Sequence, residues 1–347
     1  MPLRDSEHQA PHVGGLSTPP TATLVDAGRA LDTGRWAEAR HRFETALQEG
    51  ETPEALEGLG AAAWWLDDAP TVLTSRGRAY RLRQRGDDLG EGRMATELAF
   101  DHAVFKAEMA VSNGWFQRAH RLLDGLAAAP EQVWLALREA EIAYHTAGDM
   151  DHTKRLAVEA RVLAARLGLL DLEMMGLALE GLALVGMGDV AEGMRNLDEA
   201  TAVAVAGDMR DLKAVAATCC FMVFACERVR DVDRADQWCQ QISDFCRRND
   251  MAAYMAFCQA HQASVLTARG RWVEAEQQLS RCLEELRTWI GWSLTVFERL
   301  GELRRRQGRL AEADELFERA HPHPAGVLGT ARTALDRGAA RDRPGHG

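Results

Sequence analysis

Lysine is almost missing from this chain. Lys106, Lys154 and Lys213 are the only three among 41 Lys and Arg residues. None is followed by Ser or Thr, which excludes a phosphate-binding P-loop. Long apolar runs are missing too: the longest charge-free apolar stretch, 214–226, is too short to span a bilayer. Residues 1–20 hold no apolar segment of the secretory kind, so the expected compartment is the cytoplasm, with no membrane partner. Val and Ile nowhere alternate with polar residues over a useful length, so strands are not expected. Neither a G-x-S-x-G nucleophile elbow nor an H-E-x-x-H zinc helix occurs. Basic charge is in deficit, 41 residues against 52 acidic ones, for a net charge of −11. That balance argues against an extended nucleic-acid surface.

Cysteine is absent outside residues 219–282, where seven occur. An odd number in a chain of 347 residues does not suggest a disulfide framework. Cys219 and Cys226 are seven apart, as are Cys239 and Cys246, so each pair shares a helix face. Two such pairs can converge on one zinc, but the usual closed-site spacing is missing. The expectation is therefore small buried side chains between packed helices and no metal.

What is present is a repeat. Gly34-Arg35-Trp36-Ala37-Glu38-Ala39 returns as Gly270-Arg271-Trp272-Val273-Glu274-Ala275 and as Gly308-Arg309-Leu310-Ala311-Glu312-Ala313. Weaker copies begin at Gly114, Gly148 and Gly188, and degenerate ones put Asp67 and Arg230 in the glycine slot. The phrase describes a helical hairpin. A residue able to adopt the left-handed conformation ends one helix, and an apolar residue two positions on opens the next. Apolar residues at the fifth, ninth and twelfth positions continue a buried stripe at helical period. Seven residues before the slot a small residue recurs, in Ala27, Gly60, Ala107, Gly181, Ala263 and Gly301; Leu59-Gly60 and Leu300-Gly301 are the Leu-Gly pair of a tetratricopeptide first helix.

The expected fold is all-α: a tetratricopeptide-like superhelical array of about eight helical hairpins plus a C-terminal capping helix. Residues 1–20 are expected to be a disordered arm, 21–337 the repeat domain and 338–347 a disordered tail. The capping helix is expected over 325–337, stopping at Gly338. Gly186-Met187-Gly188-Asp189-Val190-Ala191 fits a dinucleotide fingerprint in letters, but a helix precedes it instead of a strand, so it is assigned to a turn.

Stacked hairpins form a concave inner wall. Alignment on the Leu-Gly pair places Trp64 and Trp65 there as an aromatic anchor. Asp101, Glu108, Arg138, His145, Glu227, Arg228, Glu298 and Arg305 share the wall, with Glu54, Glu57, Glu302 and Arg306 beside them. Trp36, Trp115 and Trp272 are placed at hairpin turns. Glu141 and His145, four apart on one helix, form a pair capable of acid–base work.

The wording of 171–185 with Gly188-Asp189-Val190-Ala191-Glu192-Gly193-Met194, of Thr218-Cys219-Cys220, of 224–231 and of 302–310 resembles the helical-repeat region of actinobacterial LuxR-type transcriptional regulators, across roughly residues 24–338. That resemblance implies a cytoplasmic signal-sensing or partner-binding array joined to a C-terminal helix-turn-helix. Here the chain stops at Gly347 with no recognition helix after the repeats, so direct DNA binding is not expected. The leading expectation is a non-enzymatic, regulatory or sensory protein, with no cofactor, that binds a protein, peptide or small-molecule effector along its concave face. The alternative is a stand-alone repeat protein repurposed to bind or transform a small metabolite.

Overall fold

A computed structural model describes residues 22–341, apart from 85, 147, 250, 322 and 323. Seventeen helices and no strand occur among the described residues. Sixteen form eight hairpins: α1 (Ala22–Asp32) with α2 (Trp36–Glu49), α3 (Pro53–Trp65) with α4 (Ala69–Arg83), α5 (Asp88–Lys106) with α6 (Met109–Leu123), α7 (Pro130–Thr146) with α8 (Met150–Leu167), α9 (Leu170–Met187) with α10 (Val190–Ala206), α11 (Leu212–Val229) with α12 (Val232–Arg248), α13 (Ala252–Ala268) with α14 (Trp272–Glu285), and α15 (Ile290–Arg306) with α16 (Leu310–Arg319). The last, α17 (Pro324–Arg341), packs on the eighth hairpin as the expected cap: a Cβ at its Gly329 would overlap the Phe317 ring of α16. It runs past Gly338 instead of stopping there, since nothing forces that glycine out of helical geometry. The expected arm, 1–20, and the last residues of the expected tail, 342–347, lie outside the described residues.

The turns obey the slot logic. Gly34, Gly148, Gly188, Gly270 and Gly308 have positive φ, and so do Asp67 (61°) and Arg230 (59°). One slot was misplaced. Gly114 lies inside α6, and the left-handed residue of the third hairpin is Ala107, with φ 55°. With that correction the spacing evens out, because the expected long and short gaps around Gly114 both disappear. Next to the turns, Thr52, Asp68, Asp87, Asp149, Asp211 and Asp231 accept backbone N–H bonds at the starts of their helices.

Alanine and glycine at the buried seams let the helices approach closely. A Cβ at Gly181 would lie 2.6 Å from the Gly193 carbonyl oxygen, so α9 and α10 touch backbone to backbone. One continuous core runs from Leu56 to Leu303, and a small second one lies beneath α1 and α2. Five cysteines behave as expected, as buried free thiols. The other two differ: Cys220 and Cys258 form a disulfide joining α11 to α13, with Cα atoms 5.5 Å apart. The sequence carries no sign of that pair, because 38 residues and an intervening helix separate its members.

The superhelix closes on itself. The turn before α15 reaches the second and third hairpins, where the Thr288 hydroxyl donates to the Asp67 carbonyl at 3.3 Å. Gly291 sits where a Cβ would overlap the Ala103 carbonyl oxygen of α5. The inner face is therefore a lined interior between α3, α5, α7, α11, α13 and α15, not a continuous open groove.

Candidate functional site

The first helices of the hairpins supply the interior, and they fill much of it with rings. Trp36 stacks on Trp65 at 4.5 Å and Trp65 meets Trp64 edge to face at 5.1 Å. Trp64 meets Trp289 at 4.6 Å, Trp289 stacks on Trp292 at 4.4 Å, and Trp292 stacks on Phe257 at 4.7 Å. Phe224 and His261 continue the line. Each such pair adds about 0.5–1.5 kcal/mol beyond burial alone. This series ties the first hairpin to the seventh and eighth, which helical propensity cannot do.

Beside it a cavity of about 250 Å³ remains. Phe100 and Val104 of α5, Ile142 of α7, Phe257 of α13 and Trp292 of α15 make its walls apolar. Glu141 and His145, one turn apart on α7, supply its polar edge. Burial pushes the Glu141 carboxyl up, and Arg138, donating to it at 2.8 Å, works against that. The Arg138 guanidinium lies 4.0 Å over the Phe100 ring and 4.9 Å over Trp134, which fixes it behind the cavity wall.

The repeat register carries a signal for this cavity that sequence reading missed. With Ala107 as the third slot, the small position seven residues earlier is Phe100, and in the fourth hairpin it is Glu141. Both line the cavity. Two of the three hairpins that break the small-residue rule thus contribute to the cavity wall; in the other, the sixth, the position is Val223, which does not line it.

Two charge clusters flank the rings. In the first, Arg76 bonds Asp101 at 2.6 Å and Glu97 at 2.8 Å, and Lys213 bonds Glu97 at 3.1 Å while lying 5.2 Å over the Trp64 ring. Burial opposes charge on both acids. Arg76 and Lys213 win at Glu97 and hold it well below the usual range, whereas burial pushes Asp101 up. In the second cluster His261 Nδ1 is 2.5 Å and Arg299 2.6 Å from the Glu227 carboxylate, and Arg299 also bonds Glu298 at 2.8 Å. Burial works against the Glu227 charge, but Arg299 and His261 outweigh it and keep the carboxyl well below its usual range.

The wall residues expected from sequence fall into separate places. His145 lines the cavity. Trp64 is not an exposed anchor: it is 1% accessible and belongs to the core, because the closure covers it with Trp289. Asp101 and Arg138 are fully buried, the first in the Arg76 cluster and the second behind Phe100. Trp65 lines a smaller pocket with Trp36 and Trp134. Glu227, Glu298 and Arg305 come together in a polar pocket, joined by Glu302 and Arg306. Glu108 stands apart at the start of α6, bonded to His102 at 2.7 Å, and Arg228 is exposed, donating to the Gly186 carbonyl. Glu54 and Glu57 pair with Arg83 of α4, and Glu57 also pairs with Arg93 of α5. Trp115, expected at a turn, lies within α6 and meets Tyr80 at 4.9 Å.

The two expected cysteine pairs do face each other across α11 and α12. Burial pushes all four thiols up, Cys226, Cys239 and Cys246 to about 12. Among the described residues no group of His, Cys, Asp and Glu is arranged to hold a metal ion, and no helix is long and apolar enough to cross a membrane.

No protein-family model matches the chain, and no curated protein matches it in sequence. Solved structures do. A Rap protein complexed with competence and sporulation factor is 12% identical, with a TM-score of 0.57 over 92% of this chain and 98% of that one. A tetratricopeptide repeat protein from Parabacteroides merdae is 11% identical (TM-score 0.45, 81% of this chain, 98% of that one). Aspartyl phosphate phosphatase F from Bacillus subtilis is 8% identical (TM-score 0.45, 95% and 97%). These similarities are of fold: the chain is an all-α, tetratricopeptide-like helical-repeat array.

Proposed function

We propose that this chain is a non-enzymatic regulatory or sensory protein that receives a short peptide, or a small segment of a protein partner, in its closed interior. The observation that carries this reading is the cavity of about 250 Å³, walled by Phe100, Ile142, Phe257 and Trp292 and edged by Glu141 and His145. That volume suits one or two large apolar side chains, slightly below the ordinary range for drug-sized ligands. A preformed wall lowers the ordering cost of binding. The Rap protein, which shares the fold, was solved in complex with a factor, and this supports the direction of the reading. So does the resemblance of 171–185 and 224–231 to the sensory arrays of actinobacterial LuxR-type regulators, a setting that is cytoplasmic. With its acidic balance the chain is read as acting through a partner, not on nucleic acid directly.

A second reading, binding or transformation of a small metabolite, draws on the Glu141–His145 edge, where a carboxyl pushed up by burial stands one helical turn from an imidazole. Hydrogen exchange with a panel of blocked apolar tripeptides tests the first. Protection at 141–146 and 291–295 is expected. Protection confined to the outer helices, with none at these segments, would overturn it.

A further inference from the structure

The polar pocket next to the cavity has a charge opposite to that of the molecule. Its volume is about 260 Å³, and five arginines line it: Arg230, Arg299, Arg305, Arg306 and Arg332. Three carboxylates face them, Glu227, Glu298 and Glu302. Their pairing is uneven. Arg299 takes Glu227 and Glu298, while Arg305 and Arg306 share Glu302, and Arg305 also reaches Asp336 of α17. Arg230 and Arg332 have no carboxylate within ion-pair distance among the described residues; Arg230 donates only to the Ser264 hydroxyl, at 3.4 Å. The Arg299 Nε is buried and has no hydrogen-bond partner. In a chain of net charge −11, the lining therefore carries two more positive than negative groups.

We propose that this pocket is an oxyanion subsite, taking a carboxylate or phosphate group of the ligand between the free guanidiniums of Arg230 and Arg332. Planar guanidiniums recognise such groups through paired, charge-assisted hydrogen bonds. Ser264 and Thr267 line the same wall, and the Thr267 hydroxyl is spent on the Ala263 carbonyl, so the guanidiniums are left as the donors. Burial also pushes the Glu298 carboxyl up, which lessens the negative charge an anion would meet.

The subsite lies further along the same helices as the cavity. On α15, Thr295 lines the cavity and Arg299, four residues on, lines the polar pocket; on α13, Phe257 and Ser264 do the same. Four helical residues span about 6 Å. The linked assignment, which rests on the reading proposed above, is a ligand with an apolar body and an anionic end, such as a peptide with a free C-terminal carboxylate.

The experiment uses the full chain and two probes, inorganic phosphate and acetate, titrated by calorimetry in a constant chloride background. The comparison is the double variant Arg230→Gln/Arg332→Gln, whose side chains are exposed and hold no carboxylate, so folding is retained. Saturable binding of either probe, at least tenfold weaker in the variant, is expected; which probe binds identifies the ligand group. Failure of both to bind, or equal binding by the variant, overturns the subsite. The apolar tripeptides then keep the two readings apart. Tripeptide protection without oxyanion binding removes the subsite alone, and oxyanion binding without protection removes the cavity reading alone.

Discussion

Trp64 and Trp289 meet edge to face with ring centroids 4.6 Å apart, and both are almost fully buried. One ends the first helix of the second hairpin and the other opens the first helix of the eighth. Their contact turns a curled array into a closed one. It also converts a wall position into core, because each ring is the other's cover.

Trp64→Ala is accordingly expected to act on stability. A cavity of that size in a core costs about 3–5 kcal/mol. Denaturant unfolding monitored by far-ultraviolet dichroism should show this loss. A variant as stable as the parent, with altered ligand binding only, would return Trp64 to the wall.

Gly291→Ala should open the same closure from the other side, since its Cβ overlaps backbone and not a movable side chain. Overpacking of this kind costs about 1–3 kcal/mol. Gly114→Ala, inside α6, is the control: its Cβ would meet nothing within 4 Å. Small-angle scattering should show an enlarged particle for the first variant and none for the second.

The array was legible because its turn chemistry is local. Left-handed slots, alanine seams and the Leu59-Gly60 and Leu300-Gly301 pairs each involve residues within one hairpin. Degenerate slots at Asp67 and Arg230 were found from register alone and have the required positive φ. Ala107 escaped notice because alanine carries no turn signal, and nearby Gly114 carries a strong one. The interior was less legible. Whether Trp64 faces solvent or Trp289 depends on superhelical curvature summed over six hairpins, which no local pattern records. Arg138 illustrates the same limit: a charged residue on an inward stripe reads as solvent-facing until Phe100, Trp134 and Glu141 are seen around it.

Glu276 offers a pH test. Arg304 donates to it at 2.6 Å, and this bond holds its carboxyl at about 2, below the ordinary 4.5. A depressed carboxyl contributes stability that is present above its unfolded pKa and lost as pH falls through the folded one. That contribution should fade between about 4.5 and 2. Carbon-detected titration of the carboxyl should give a midpoint near 2, and Arg304→Gln should move it upward. A midpoint unchanged by the variant would remove Arg304 as the cause.

The free cysteines should be silent in the native protein. Burial holds Cys226, Cys239, Cys246 and Cys282 at about 12, so little thiolate exists at pH 8. A disulfide-exchange reagent should label none of the five free thiols natively and all five in denaturant. Prompt native labelling would mean that the α11–α12 seam is open.

The central claim is that the repeat array closes and so encloses its interior cavity. With selectively labelled tryptophan, a nuclear Overhauser cross-peak between the Trp64 and Trp289 ring protons measures that closure directly. The account predicts a strong cross-peak, lost on Gly291→Ala. Absence of the cross-peak in the parent protein, with both rings open to solvent quenching, would contradict it and leave an open groove in place of the cavity.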